Sequence, residues 1–430
     1  MTRNVDFSDG LASLRGIAAT VVIIFHALLI FQIDSFDNPH RTPLNLDGGW
    51  LTVTHFLLAL FNGRAVVVLF FVLSGTVLAV SLARVENLTW RPVTAYYIRR
   101  ALRLLPILCA VTLLSALMHH FYFDQRPLDY VTSWMNSFYK ADPDWVDISM
   151  NVMGWSNSLN SPAWTIRIEI AASVVFPLLY FITTRDRVTV ILGGFVLVGF
   201  MFAPGLSLKH TETFLLSFYL GALIPRLSPH FDYAYNRVGV VGRVMLALLT
   251  FSIMAGAERV HSPTSFHDPG SVLIVTLCSV ALVAFVYSGG HTVLLKSRTL
   301  LFLGKISYSL YLIHFLVLFM LAHAVARSVN ISPSPGDALV LNIGLAIATF
   351  ALTVPLAALA YFGLERPCQR LGSRLSRIVL SSSGPCKLPW SLALLWHSDD
   401  RTKSEAGAAE RTSQAHGTRQ MVKQPAPDGR

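Results

Sequence analysis

The sequence predicts an all-α fold: a polytopic transmembrane helical bundle of about ten spans, with both termini in the cytoplasm. Three observations carry this. Of 430 residues, 53% are hydrophobic and only 13% charged, about half the charge of a soluble domain. The apolar residues fall into ten stretches, near 11–31, 65–83, 101–118, 164–183, 188–204, 211–225, 239–256, 271–288, 300–325 and 338–363. Each is close to the length that crosses a hydrocarbon core of roughly 30 Å. Of the Lys and Arg residues flanking them, nineteen lie on the side that holds both termini and seven on the other, and positive flanks mark the cytoplasmic side. The formal net charge of +10 is thus spread between spans. It reads as membrane orientation and excludes a nucleic-acid-binding patch.

The first stretch, LASLRGIAATVVIIFHALLI, runs on without a cleavage site, so no cleavable signal peptide is expected. It holds Arg15 and His26, which are 11 residues apart. That spacing leaves about 20° after three helical turns, so both side chains share one face, roughly 16 Å apart along the axis. Ionisable groups at membrane depth are costly and face the protein interior, which makes them functional candidates. The plainer alternative is a snorkelling Arg15 and a His26 bonded to a neighbouring helix. The second stretch contains FFVLSG (70–75), whose small residues suit close helix packing.

Arg100 and Arg103 share a helix face where the third span leaves the cytoplasm. Arginine forks bind phosphates bidentately, which would suit docking of a phosphorylated donor; taken alone, the pair reads first as the orientation signal itself. The fourth span carries Arg167 and Glu169, two residues apart and pointing away from each other. A carboxylate in lipid needs a partner, and His26 is the expected one: a His–Glu pair orients an imidazole for general-base work. The alternative is a structural bond from Glu169 to Arg167 or to backbone. On the ninth span Tyr308, Tyr311 and His314 recur every three residues, a polar stripe that lines a pocket or bonds between helices.

Two outer loops, 32–63 and 119–163, are long, and the second is rich in Asp and Trp. Such a mixture suits sugar binding, and equally an ordinary solvated loop with interfacial aromatics. The four cysteines, Cys109, Cys278, Cys368 and Cys386, show no metal or disulfide spacing. No phosphate loop, zinc-protease motif or nucleophile elbow occurs. Two regions are expected: a membrane domain over 1–375 and a polar, disordered cytoplasmic tail over 376–430.

Taken in order, several pieces carry a joint pattern. They are LRGIAATVVIIFHA, FFVLSG, RRALRLLP, SPAWTIRIEI, GKISYSLYLIH and the closing LERP at 364–367. The chain resembles the membrane-bound acyltransferase family 3, the integral-membrane O-acyltransferases of polysaccharide modification, over roughly residues 8–370. The resemblance implies transfer of an acyl group, commonly acetyl from acetyl-CoA, onto a sugar hydroxyl. It implies Arg15, His26 and Glu169 as catalytic residues, Arg100 and Arg103 as donor-binding residues, and Trp164 as a further functional position. Two departures stand out: Ile170 where many members carry a second acid, and Arg167 where a small polar residue is common.

The expected function is therefore a membrane O-acyltransferase, with acetyl-CoA as acyl donor and no metal. The acceptor is a glycan or lipid-linked sugar, and Trp164, Tyr308, Tyr311 and His314 line the substrate site. Membrane lipid is a partner and nucleic acid is not. The compact, loop-poor build favours a bacterial inner membrane. The competing reading is a proton-coupled transporter or exporter of a sugar or small acid, against which no paired broken helices in matching halves are seen. A non-catalytic membrane scaffold is the third.

Overall fold

The computed structural model describes residues 3–33, 48–85, 89–123, 126–138, 142–203, 210–260, 268–288, 293–328 and 332–381. The tail beyond 381 lies outside them, as do 34–47 of the first outer loop and Asp124 of the second. The described residues form helices joined by short segments, with one isolated bridge, Phe31 to Val131. In chain order the helices are α1 (Arg3–Ala27), α2 (Gly49–Leu60), α3 (Gly63–Leu82), α4 (Trp90–Phe121), α5 (Trp145–Val152), α6 (Ala163–Thr183), α7 (Arg187–Phe202), α8 (Thr211–Arg237), α9 (Val240–Val260), α10 (Pro269–Tyr287), α11 (Arg298–Ser328), α12 (Pro335–Ala360) and α13 (Arg366–Ser381). A π-helical turn, Tyr361–Glu365, joins the last two.

A helix occupies each of the ten apolar stretches. Among the described residues seven helical segments are long and apolar enough to cross a membrane; α7 and the apolar part of α9 are shorter, and α8 is in neither group, so the expected count of ten spans is not reached by length and composition. The backbone of a span must bond within itself, so such apolar runs become helices. Four boundaries differ from expectation. Pro225 does not end α8, which continues through Pro229 to Arg237; Phe231 in this extension still packs into a buried cluster. Part of the first outer loop is the helix α2, whose Leu51, Thr54, His55 and Leu58 are buried. Helix α13 runs on through Ser381, so order extends past 375. The fourth difference, at the end of α1, shapes the site and is described there.

Lipid supplies no hydrophobic force between helices, so close backbone packing must hold them together. Two crossings show how. On α3, a Cβ at Gly75 would strike the Phe218 backbone, and one at Gly221 would strike Val72. Thr76 Oγ1 also donates to Gly221 O across this crossing at 3.0 Å. On α1 and α11, Gly16 and Gly304 meet, and a Cβ at Gly304 would strike Ala12. Only glycine permits these approaches. FFVLSG thus serves packing, as its small residues suggested.

Helix α4 has 32 residues, about 48 Å of helix, well beyond the hydrocarbon thickness. Its N-terminal part pairs with α13: Gly372 sits against Leu102, and Ser376 Oγ donates to Ala95 O at 2.9 Å. In the connection before α7, Asp186 caps the helix. The Thr189 hydroxyl and then its backbone N–H hold the Asp186 carboxyl below its ordinary range.

Candidate functional site

Polar side chains gather inside the bundle in two layers. The first lies toward the end where α1 and α11 begin. Arg100 on α4 donates from Nη2 to Glu169 Oε1 on α6 at 2.7 Å and from Nε to Ser173 Oγ at 3.0 Å. Ser74 on α3 adds a bond to the same Oε1 at 3.2 Å. This ion pair ties three helices together, and it differs from the expected arrangement. Glu169 takes Arg100 and Ser74 as partners, not His26, and Arg100 is committed within the protein.

Arg15 and Arg103 are different. Arg15 lies in the field of Arg103, Glu169 and Arg100, yet no hydrogen bond or ion pair holds either Arg15 or Arg103 among the described residues. Arg15, Glu169 and Tyr308 lie within the bundle and are only partly buried. Sequence reasoning missed Glu365 here. It is buried, takes Ser309 Oγ at 2.5 Å and Gln369 Nε2 at 2.9 Å, and feels the charge of Arg103. The π turn that carries it widens the helix locally, a device frequent at functional sites. The only trace in the sequence was its place in the closing LERP.

The second layer holds the histidines. Helices α1 and α11 run parallel and in step: Gly16 meets Gly304, and ten residues further on His26 Nδ1 lies 2.9 Å from His314 Nε2. His314 is fully buried, and its Nδ1 lies 2.6 Å from Tyr311 O. It is the partner of His26. The tyrosines of the same stripe each reach a different helix. Tyr308 OH donates to Leu104 O at 2.7 Å on α4. Tyr311 OH is 3.2 Å from Pro162 O and 3.0 Å from Thr165 Oγ1 at the start of α6. Trp164 packs against Phe214 of α8, 5.8 Å between ring centroids, and sits beside a core cluster.

The first span was expected to stay helical to residue 31, but α1 ends at Ala27, one residue past His26. Residues 28–31 and 33 are buried nonetheless. Irregular backbone at this depth needs partners, and it has them. Asn342 on α12 bonds Leu28 O, Phe31 O and Phe31 N. Thr132 of the second outer loop bonds Leu29 O through its hydroxyl and Ile30 O through its N–H. That loop lays Trp134 over the His26 ring, 5.7 Å between centroids. Three of its acidic residues have structural partners: Asp144 and Asp147 form the capping box of α5, and Asp142 Oδ1 lies 3.1 Å from His119 Nδ1. Trp145 and Trp155 are exposed. Among the described residues no three His, Cys, Asp or Glu side chains gather as a metal site would require.

Fold and site together define a membrane-embedded helical protein with a pair of histidines, His314 buried and His26 partly so, at one level and a cluster of arginines and carboxylates at another. The acyltransferase-3 family model, described as an acyltransferase domain, matches residues 9–362, and the chain belongs to that family. Proteins of Staphylococcus aureus strains MSSA476 and MRSA252, each named a putative O-acetyltransferase, are 23% identical to it over 405 residues. The match covers 86% of this chain but 58% of theirs, so the chain spans somewhat over half the length of these relatives. No solved structure matches.

Proposed function

We propose that the chain is an O-acyltransferase that moves an acyl group, acetyl in the simplest case, from acyl-CoA to a sugar hydroxyl across the membrane. In this reading both termini, Arg15 and Arg103 face the cytoplasm and His26 lies deeper and toward the outside, in a bacterial inner membrane; the excess of Lys and Arg on one set of flanks supports it. One observation carries the reading: among the described residues Arg15 and Arg103 have no counterion bonded to them, while Arg100, three residues from Arg103, is already paired. Two uncommitted guanidinium groups within each other's field suit an anion, and the phosphates of CoA are such an anion. This narrows the donor-binding set to Arg15 and Arg103 and makes the Arg100–Glu169 pair a strut.

The pantetheine arm then reaches along α1 toward His26, roughly 16 Å deeper. His26 takes the proton of the acceptor hydroxyl as its oxygen attacks the thioester carbon. The C–S bond breaks, and the proton passes from His26 to the departing thiolate. His26 lies in the last turn of α1, so the negative end of the helix dipole faces the imidazolium charge the reaction creates. Only the acyl group must cross; the sugar stays on the outer side, beneath Trp134. An acyl group carried on His26 itself would use the same geometry.

The test is O-acyl analysis of surface polysaccharide from cells lacking the chain, complemented with wild type or His26→Ala. Restoration by wild type alone is the expected result. Acylation unchanged in all three strains, with labelled sugar transported instead, would replace this reading with the exporter.

A further inference from the structure

We infer that His314 is the positioning residue that fixes His26 in the tautomer whose Nε2 carries the lone pair, so that Nε2 is the basic atom of the site. The argument follows the protons from the closed end outward. A backbone carbonyl can only accept, so His314 Nδ1, 2.6 Å from Tyr311 O, must carry a hydrogen. A neutral imidazole has one N–H, which leaves His314 Nε2 with its lone pair toward His26. His26 Nδ1, 2.9 Å away, must therefore be the donor. In neutral His26 the remaining nitrogen, Nε2, is then the acceptor of any incoming proton.

Ring geometry agrees. The two imidazole planes differ by 4° with centroids 5.2 Å apart, so the rings meet edge to edge and the N–H lies in the plane of the lone pair it addresses. Nothing about His314 is free to change this. It is fully buried, it sits on the helix held in step with α1 by Gly304, and Tyr311 beside it is tied to Pro162 and Thr165. When His26 gains its proton, the cation keeps the Nδ1–H bond to His314, so no ring must turn during the reaction. No carboxylate is needed to orient His26, which frees Glu169 for Arg100.

This inference rests on the acyl-transfer reading for its consequence in turnover, but one of its readouts does not. The full chain in lipid nanodiscs would carry His314→Phe, which keeps the ring and removes the acceptor, or His314→Gln, whose amide oxygen can accept from His26 Nδ1 and whose NH2 can donate to Tyr311 O. The first readout is the rate at which diethyl pyrocarbonate acylates His26, followed by mass spectrometry; the reagent attacks an unprotonated imidazole nitrogen. The second is kcat and KM for transfer of labelled acetyl from acetyl-CoA to polysaccharide in membrane vesicles.

His314→Phe is expected to slow His26 modification by about tenfold and to lower kcat by about 100-fold or more, with KM for acetyl-CoA unchanged. His314→Gln is expected to recover most of both. A Gln variant that falls as far as the Phe variant, or a Phe variant that changes neither rate, overturns the inference. Wild type that transfers no acetyl while the modification contrast holds would remove the acyltransferase reading and leave the tautomer assignment standing. Transfer by wild type without the contrast would do the reverse.

Discussion

Three arginines that look alike in the sequence do different work. Arg100 is buried with Glu169, and breaking such a pair leaves a bare charge in a low-dielectric interior, at a cost of about 3–5 kcal/mol. Glu169→Gln should therefore lower the thermal unfolding temperature of the purified protein markedly, and adding Arg100→Gln should restore much of it. Arg15→Ala and Arg103→Ala should leave that temperature nearly unchanged and instead weaken acetyl-CoA binding, each by tenfold or more, as seen by calorimetry. Equal destabilisation by all four variants would show that no arginine is reserved for a ligand. The shared face of Arg15 and His26 was legible because it depends only on helical period. The His26–His314 pair was not, because it joins residues 288 apart in sequence. A faint signal did exist: a glycine stands ten residues before each histidine, Gly16 and Gly304.

At the scale of elements, apolar length sufficed to find a helix at each of the ten apolar stretches, since lipid leaves the backbone no alternative, though not how many of them span. It could not find where α1 stops. The run from Leu28 to Phe31 is as apolar as the helix before it, and what ends the helix is a set of partners on α12 and an outer loop. Asn342 is the chief of these, making three bonds to two residues of the irregular segment. Asn342→Leu keeps the size and removes the bonds, stranding buried backbone groups at about 1–3 kcal/mol each. The expected outcome is a lower unfolding temperature together with loss of transfer activity, as His26 loses its seat. Full activity in that variant would mean that the break in α1 is not what places His26. Helices α2 and α5 were missed because both are short, 12 and 8 residues, and the start of α5 is set by a local capping box rather than by apolar length.

For the whole molecule the decisive quantity is orientation, since the proposed reaction draws donor from one side and acceptor from the other. The arginine count predicts a direction that chemistry can check. Cys368 lies on α13, at the end of the bundle that also holds Arg99 and Leu102. In a Cys386→Ser background, a membrane-impermeant maleimide should label Cys368 in inverted vesicles and not in intact cells. A cysteine placed at exposed Trp155 should behave the opposite way. Labelling of Cys368 from outside would invert the protein and with it the proposed path of the acyl group.

The in-step pairing of α1 and α11 also restricts how this chain can change over generations. Inserting one residue between Gly304 and His314 would turn His314 by about 100° and advance it about 1.5 Å, carrying its nitrogen out of reach of His26. The same insertion beyond the end of α11 would be absorbed by a connection. Length variation among descendants of this sequence should therefore accumulate between the helices and be purged from two ten-residue intervals, one in each. Side chains on the outward faces of those same intervals would remain free to drift.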